Sequence, residues 1–141
     1  MPTAKSDLAK LSKLGQNAKA SRTLEVFPNH APKGITVTLN CTEFTCRCPL
    51  TNQPDYATIV LTYVPDKWVV ESKSMKLYLE TYRDEGVFHE HLAVDIANDF
   101  VKFVKPKAVE VTVNFNVRGG IAISAMYEWS KKYIYERSRN D

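Results

Sequence analysis

Two cysteines one residue apart, followed by an aspartate, are the residues of this sequence best placed for chemistry. The stretch FTCRCPLTNQPDYATI, residues 44–59, contains Cys46 and Cys48, and Asp55 stands seven residues beyond Cys48. A thiolate can attack an electrophilic carbon, and a carboxyl group within reach can deliver the proton that such an attack requires. The segment 49–54 begins and ends with proline, so it predicts a turn that brings Asp55 back toward the sulfur of Cys48.

Metal binding, redox pairing and simple burial are the alternative interpretations of the cysteines. Zinc sites usually take C-x2-4-C and H-x3-5-H pairs, and redox pairs are normally C-x-x-C. Here Cys41, Cys46 and Cys48 have C-x4-C and C-x-C spacing, and the histidines of H-E-H, residues 89–91, lie far downstream. Free cysteine is often buried, so Cys41 and Cys46 equally fit small residues packed under a loop. The spacing disfavours a metal site and leaves burial and a nucleophilic Cys48 both open.

Length and composition predict one globular domain in a reducing compartment. The chain has 141 residues, 44% of them hydrophobic and 25% charged, which suits one core of ordinary size. No run approaches the roughly 18 consecutive apolar residues of a membrane span, and the first residues lack a signal peptide's apolar stretch, so we predict a cytoplasmic protein. Three cysteines within eight positions do not make a disulfide scaffold.

The net charge of +3 arises mainly near the N-terminus. The basic residues of the first two dozen positions are Lys5, Lys10, Lys13, Lys19 and Arg22. Such a segment is usually a solvated arm, so direct binding of nucleic acid is not expected. Leu8, Leu11 and Leu14 have helical spacing and predict a short amphipathic helix within it. We predict three parts: a basic arm over residues 1–23, a folded domain over 24–135 and a polar tail over 136–141.

The pattern of apolar residues changes from period two to helical spacing and back. Alternation predicts strands over residues 34–40, 57–64, 67–71, 108–117 and 121–127, and helical spacing predicts helices over 75–81 and 92–104. The tripeptide Arg118-Gly119-Gly120 predicts a hairpin turn between the last two strands. An order of strands, two helices and strands predicts an α+β fold, in which an antiparallel sheet carries both helices on one face.

Two motifs resemble those of a known enzyme family. The segment ESKSMKLYLETYRDEG, residues 71–86, and the FHEH that follows at 88–91 resemble the signature region of the 7-cyano-7-deazaguanine reductases. The cysteine stretch resembles the family's nucleophile pattern C-P-x-T-x-Q-P-D, which begins here at Cys48 and ends at Asp55. With R-G-G-I at 118–121, the resemblance covers about residues 24–127.

The resemblance implies a fold, a reaction and a cofactor. The implied fold is the tunnelling fold, in which antiparallel sheets of several subunits join into a barrel and active sites form between neighbours. The implied reaction is the NADPH-dependent reduction of the nitrile of 7-cyano-7-deazaguanine in queuosine biosynthesis, without a metal. Cys48 would attack the nitrile carbon to form a thioimide, and Asp55 would protonate the nitrogen.

The resemblance also assigns binding residues. The implied substrate-binding residues are Val70, Glu71, Ser72, His89 and Glu90, and the implied cofactor-binding residues are Ser72, Lys73, Lys76, Arg118 and Gly119. Glu90 would accept the adjacent N–H groups of the deazapurine in bidentate fashion. Without the resemblance, Lys73 and Lys76 fit a solvated helix face, and Glu90 fits an acidic residue at a helix start. No G-x-G-x-x-G follows a strand, so a Rossmann crevice is not expected.

Three other function classes remain as alternatives. An amidinotransferase of archaeosine synthesis would share the cysteine, aspartate and glutamate but lack the cofactor motif. A zinc-dependent pterin-forming cyclohydrolase would share the fold class but need His and Cys ligands. A non-catalytic deazapurine-binding or RNA-binding module would bind without turnover. Cys46, which we do not assign to the family pattern, is a candidate for oxidative pairing with Cys48.

Overall fold

An antiparallel sheet with its helices on one face carries the candidate site. The computed structural model describes residues 4–12, 19–31 and 34–132. In chain order the elements are α1 (Lys5–Leu8), β1 (Val26–Pro28), β2 (Val37–Arg47), β3 (Pro54–Val64), β4 (Trp68–Val70), α2 (Ser72–Glu80), α3 (His89–Val104), β5 (Ala108–Phe115) and β6 (Ser124–Ser130). This confirms the predicted order of strands, two helices and strands.

The main sheet has four strands in the order β2-β3-β5-β6, all antiparallel. Side chains of β3 alternate between buried and less buried positions, as period two requires. Its buried residues, such as Ile59 and Leu61, join the same core as the apolar faces of α2 and α3. Both helices therefore cover one face, as predicted. Within the described residues, β2 and β6 are the edges of this sheet.

The helix α3 buries a stripe of residues three and four apart, and its last turn ends where Lys105 adopts a left-handed conformation with φ 51°. Phe100 packs edge-on against Tyr63 of β3, with ring centroids 4.8 Å apart. The hydroxyl of Tyr78 in α2 donates to the Asp99 carboxylate at 2.6 Å, which ties the two helices together. These contacts hold the second half of α3 against the sheet and α2, and the first residue of the same helix, His89, belongs to the site.

The strand β2 is longer than the sequence predicts. It extends to Arg47, with a register irregularity between Cys41 and Phe44, because its second half continues to pair with β3. Cys41 and Cys46 therefore lie in a strand of the sheet; the expected burial is confirmed for Cys46, whereas Cys41 is only partly buried. Cys46 is fully buried and is the register partner of Asp55.

The N-terminal segment differs most from its prediction. The helix α1 is a single turn in which Asp7 is buried and Leu8 is 47% exposed, so the expected apolar leucine face does not form there. Asp7 instead accepts a hydrogen bond from His30 at 2.5 Å, next to the small sheet of β1 and β4. Leu14 and the predicted tail lie outside the described residues. Of the described helices, none has the length and apolarity that a membrane span requires.

Candidate active site

The hairpin loop between β2 and β3 presents Cys48. The Cys48 N–H donates to the Gln53 carbonyl at 2.9 Å, and the Asn52 N–H donates back to the Cys48 carbonyl at 2.9 Å. Asn52 has φ 58°, a left-handed conformation that asparagine adopts more readily than most residues. The loop is thus a defined turn, as the two prolines of the sequence predict, and it leaves Cys48 half-buried.

The Cys48 thiol is surrounded by hydrogen-bond donors. The Thr51 hydroxyl, followed by the N–H groups of Thr51 and Leu50, lowers the pKa of Cys48 below its ordinary value, while partial burial and the charge of Asp55 oppose this effect. A lowered thiol pKa favours the nucleophilic thiolate. Sequence reasoning missed Thr51, which the turn brings back onto the sulfur from three residues along the chain.

Cys46 has the opposite environment. Burial, followed by the charges of Asp55 and Cys48, raises the pKa of the Cys46 thiol to about 12. This thiol stays protonated at neutral pH, and its side chain is 0% exposed. Both cysteines are free thiols. The proposed oxidative pairing of Cys46 with Cys48 is disfavoured, because oxidants act on exposed thiolates.

Asp55 is a buried carboxylate with two partners. It is 2% exposed, its Oδ2 lies 3.0 Å from Nε2 of His89, and its Oδ1 accepts a hydrogen bond from the Arg118 guanidinium. The ring of His89 stacks on Phe115 at 3.5 Å with an interplanar angle of 9°. His89 is the first residue of α3 and Phe115 the last of β5, so the ends of two elements hold the imidazole against Asp55.

Arg118 occupies a place that its sequence role did not predict. The predicted turn is present, because Arg118 and Ile121 exchange backbone hydrogen bonds at 2.9 and 3.0 Å and both intervening glycines have positive φ. The guanidinium, however, contacts Asp55 and donates to Gln53 Oε1 at 3.0 Å. Arg118 is thus held by the Asp55 carboxylate, a contact that comes in addition to the cofactor role implied by the resemblance.

The residues Val70, Glu71 and Ser72 lie at the other end of the sheet. The Val70 N–H donates at 3.1 Å to the hydroxyl of Tyr63, the eighth residue after Asp55 along β3. At roughly 3.3 Å per residue, the two Cα atoms are roughly 26 Å apart. One chain therefore does not bring Glu71 and Ser72 into a pocket with its own Asp55 and His89. Glu90, next to His89, is exposed at the site.

Glu71 has a structural role within the chain. Its carboxylate caps α2 by accepting the N–H groups of Lys73 at 2.8 Å and Ser74 at 2.7 Å, and it is 5% exposed. Ser72 and Lys76 line an open cleft of about 650 Å³ between α2 and the edge strand β2. A hydroxyl and an exposed cation beside such a cleft suit the phosphates and ribose of a dinucleotide, so these residues fit the predicted cofactor.

The described residues do not include a cluster that could bind a metal ion. No three His, Cys, Asp or Glu side chains of the described ranges come close enough together to do so. The Asp55 carboxylate has an arginine and a single histidine as partners. Of the two cysteines nearby, Cys46 is buried and Cys48 lies in the loop. The arrangement suits nucleophilic attack with proton transfer.

Comparison with known proteins gives consistent matches. Residues 54–133 match the family model described as QueF-like protein. The chain is 49% identical over 130 residues to the NADPH-dependent 7-cyano-7-deazaguanine reductase of Syntrophus aciditrophicus (strain SB), covering 92% of this chain and 93% of that protein. It is 54% identical over 116 residues to the protein of the same name from Frankia casuarinae, covering 82% of this chain and 92% of that protein.

A solved structure shares the fold. The crystal structure of the archaeosine synthase QueF-Like in the apo form superposes with a TM-score of 0.60 at 24% sequence identity, covering 70% of this chain and 94% of that one. At that identity the likeness concerns the fold of the sheet and its helices.

Proposed function

Because the chain belongs to the QueF-like family of NADPH-dependent 7-cyano-7-deazaguanine reductases, we propose that it reduces the nitrile of 7-cyano-7-deazaguanine to the aminomethyl group, with NADPH, in queuosine biosynthesis. The observation that carries this proposal is the hairpin in which Cys48, with a lowered pKa, stands beside the buried Asp55. An accessible nucleophile and an enclosed acid are what addition to a nitrile requires.

The first step is attack of the Cys48 thiolate on the nitrile carbon. The sulfur–carbon bond forms as one π bond of the nitrile breaks, and the nitrogen takes a proton from Asp55, which leaves a thioimide on Cys48. The nitrile is a weak electrophile and a very weak base, so proton delivery during attack lowers the barrier. His89 holds the Asp55 carboxyl in place and can return the proton that Asp55 gives up.

The Arg118 guanidinium has to release Asp55 before this step. An arginine keeps all its protons and only donates, so it stabilises the carboxylate and not the acid. Its side chain is 44% exposed on a glycine turn, which leaves it room to move. We propose that Arg118 leaves Asp55 when substrate and cofactor bind, which reconciles its observed partner with its cofactor role.

Two NADPH molecules, bound in turn, would each supply one hydride; between the two transfers the carbon–sulfur bond breaks and Cys48 leaves as the thiolate, so that the second hydride completes the amine. Lys76 and Ser72 on the cleft beside β2 would hold the phosphates and ribose of NADPH, together with Lys73. Arg118 and Gly119 lie at the Asp55 end of the sheet, so they would reach the same cofactor from a neighbouring subunit. For the substrate, the exposed carboxylate of Glu90 accepts the adjacent N–H groups of the deazaguanine ring in bidentate fashion.

We further propose that each site is completed by a neighbouring subunit. Val70, Glu71 and Ser72 lie too far from Asp55 of their own chain, and the edge strands β2 and β6 are unpaired within the described residues. A sheet with two open edges can close into a ring of subunits. Exposed apolar side chains lie around the site, among them Leu50 at 86%, Phe88 at 55% and Ile121 at 65%, and assembly would cover them. In this proposal, residues 24–135 form the reductase domain.

The function is tested with purified protein, 7-cyano-7-deazaguanine and NADPH. We expect two NADPH oxidised for each aminomethyl product identified by mass spectrometry, and no oxidation without the nitrile. Cys48→Ala serves as the matched control. An amidine product formed without NADPH oxidation would support an amidinotransferase instead, and substrate binding without any product would support a non-catalytic module.

Subunit complementation tests the shared site. We expect a large homo-oligomer by light scattering, well above the 16.0 kDa of one chain. Cys48→Ala and Glu71→Gln proteins should each be inactive, because they disable opposite halves of the site. Co-assembly in equal amounts should restore about a quarter of the sites. At each site the Cys48 half comes from one chain and the Glu71 half from its neighbour, and each half has an even chance of being the intact one.

The control mixture combines two variants of the same half, Cys48→Ala and Asp55→Asn. No chain then carries an intact nucleophile together with an intact acid, so this mixture should stay inactive. Full activity of a monomer would contradict a site shared between subunits, and so would failure of the Cys48→Ala and Glu71→Gln mixture to recover activity despite demonstrated co-assembly.

A further inference from the structure

The loop that carries Cys48 is fastened to the connection between α2 and α3. We call residues 48–53 the Cys48 loop and residues 81–88 the α2–α3 connection. Arg47, the residue before the loop, donates its N–H to the Glu85 carbonyl at 2.8 Å, and its carbonyl accepts the Val87 N–H at 3.1 Å. These two bonds form a short parallel bridge opposite Gly86. The backbone of the nucleophile's strand is therefore tied directly to this connection.

Gly86 lets the two segments approach closely. A Cβ atom at this position would lie 2.9 Å from the Cα of Pro49, the residue after the nucleophile, and 3.3 Å from its Cβ. Real Cβ atoms do not come that close to a backbone atom, so any side chain here would push the Cys48 loop away. The contact places Pro49 against the connection at one side of the loop.

The Arg47 side chain fastens the other side of the loop. One guanidinium nitrogen donates to the carbonyl of Asn52 at 3.1 Å, and another donates to the Asp84 carboxylate at 3.2 Å. A planar guanidinium suits such a bridge, since its donors have a fixed relative geometry. Arg47 thus joins the far end of the Cys48 loop to the α2–α3 connection.

The α2–α3 connection is followed directly by His89, the hydrogen-bond partner of Asp55. His89, which hydrogen-bonds Asp55, follows Gly86 by three residues, and the bonded Val87 lies between them. A shift of the connection relative to the Cys48 loop would therefore move the nucleophile relative to His89 and Asp55. It would also disturb the turn that directs the Leu50 and Thr51 donors at the sulfur.

We propose that Arg47 is a positioning residue for the reaction: by bridging Asn52 and Asp84, it holds the Cys48 loop in the conformation in which the sulfur receives its hydrogen bonds and faces the acid. The proposal rests on the proposed function for the chemistry that it serves. Arg47 itself touches neither nucleophile nor acid through its guanidinium, so its effect should appear in the reactivity of Cys48.

The test measures alkylation of Cys48 by iodoacetamide across pH, with the labelled cysteine identified by peptide mass mapping. Arg47→Met keeps the aliphatic chain and removes the bridge. We expect the midpoint of the pH profile to rise and the rate at neutral pH to fall about tenfold, as a change of one pKa unit gives. Arg47→Lys should recover part of the rate, and Thr51→Val, which removes the main donor, shows the full shift.

Two further variants separate positioning from folding. Asp84→Ala removes one end of the bridge at a side chain that is 79% exposed, so the fold should persist while the midpoint moves in the same direction by a smaller amount. Arg83→Met makes the matched change on the same connection. Its guanidinium has no hydrogen bond to the Cys48 loop in the described structure, so its alkylation profile should equal that of the wild type.

Thioimide formation without NADPH is measured on the same proteins. We expect it to slow with Arg47→Met in parallel with alkylation, while the KM for NADPH is unchanged. An unchanged alkylation midpoint in Arg47→Met, or a change there that Asp84→Ala does not share, would overturn the bridging role. If the wild type forms no thioimide, the proposed function fails, yet the alkylation profiles still decide the role of Arg47.

Discussion

We expect the Cys48→Ala protein to form no covalent adduct with the nitrile and to oxidise no NADPH. Without the sulfur no thioimide forms, and no other described group near the site is a comparable nucleophile: the Cys46 thiol is fully buried and its pKa is raised to about 12. Noncovalent substrate binding should survive in part, since Glu90 and the pocket walls remain. Intact-mass spectrometry with substrate and no NADPH measures the adduct directly, and calorimetry measures binding.

Cys46→Ala is the matched control for this experiment. It removes the neighbouring thiol from the core and leaves the Cys48 loop intact, so most of the activity should remain. The Cys46→Ala protein should have a lower thermal stability, because removal of the buried sulfur atom leaves a small cavity. A substrate adduct on the Cys48→Ala protein would show that the nucleophile has been misassigned.

Asp55→Asn should slow adduct formation by roughly 10²- to 10⁴-fold, the usual worth of general acid catalysis. The amide keeps the shape of the carboxyl and can still accept a hydrogen bond from Arg118 or His89, but it has no carboxylic proton to give. The loss should appear in the first step, so adduct formation is followed by mass or absorbance without NADPH. A normal rate in this variant would rule out Asp55 as the proton donor.

Two cation variants sharpen the assignment of the acid. Lys76→Ala should form adduct at the wild-type rate and show only a raised NADPH requirement, because a phosphate contact stabilises ground and transition states alike. Arg118→Ala should also need more NADPH, but its adduct should form at least as fast as in the wild type, since Asp55 no longer has to release a cation. Slower adduct formation in Arg118→Ala would contradict the proposed release.

Local sequence patterns were sufficient for the central strands and the two long helices, and they supplied the candidate reacting groups. The alternation of residues 57–64 predicts the centre of β3, and the helical spacing of 92–104 predicts most of α3. Two adjacent glycines after Arg118 predict a tight turn. These features depend on backbone geometry within a few residues, which neighbouring side chains determine. The motif that contains Cys48 and Asp55 likewise lies within one short stretch of chain, so it is visible in the sequence.

Only the tertiary structure decided which groups meet. Arg118 reaches Asp55 across 63 positions of sequence, and the turn places the Thr51 hydroxyl where it lowers the pKa of Cys48. The strand register places Cys46 opposite Asp55 inside the core, and the length of β3 separates Glu71 from His89. Register and packing arise from the burial of whole faces at once, so side chains far apart in sequence become neighbours through constraints that no local pattern contains.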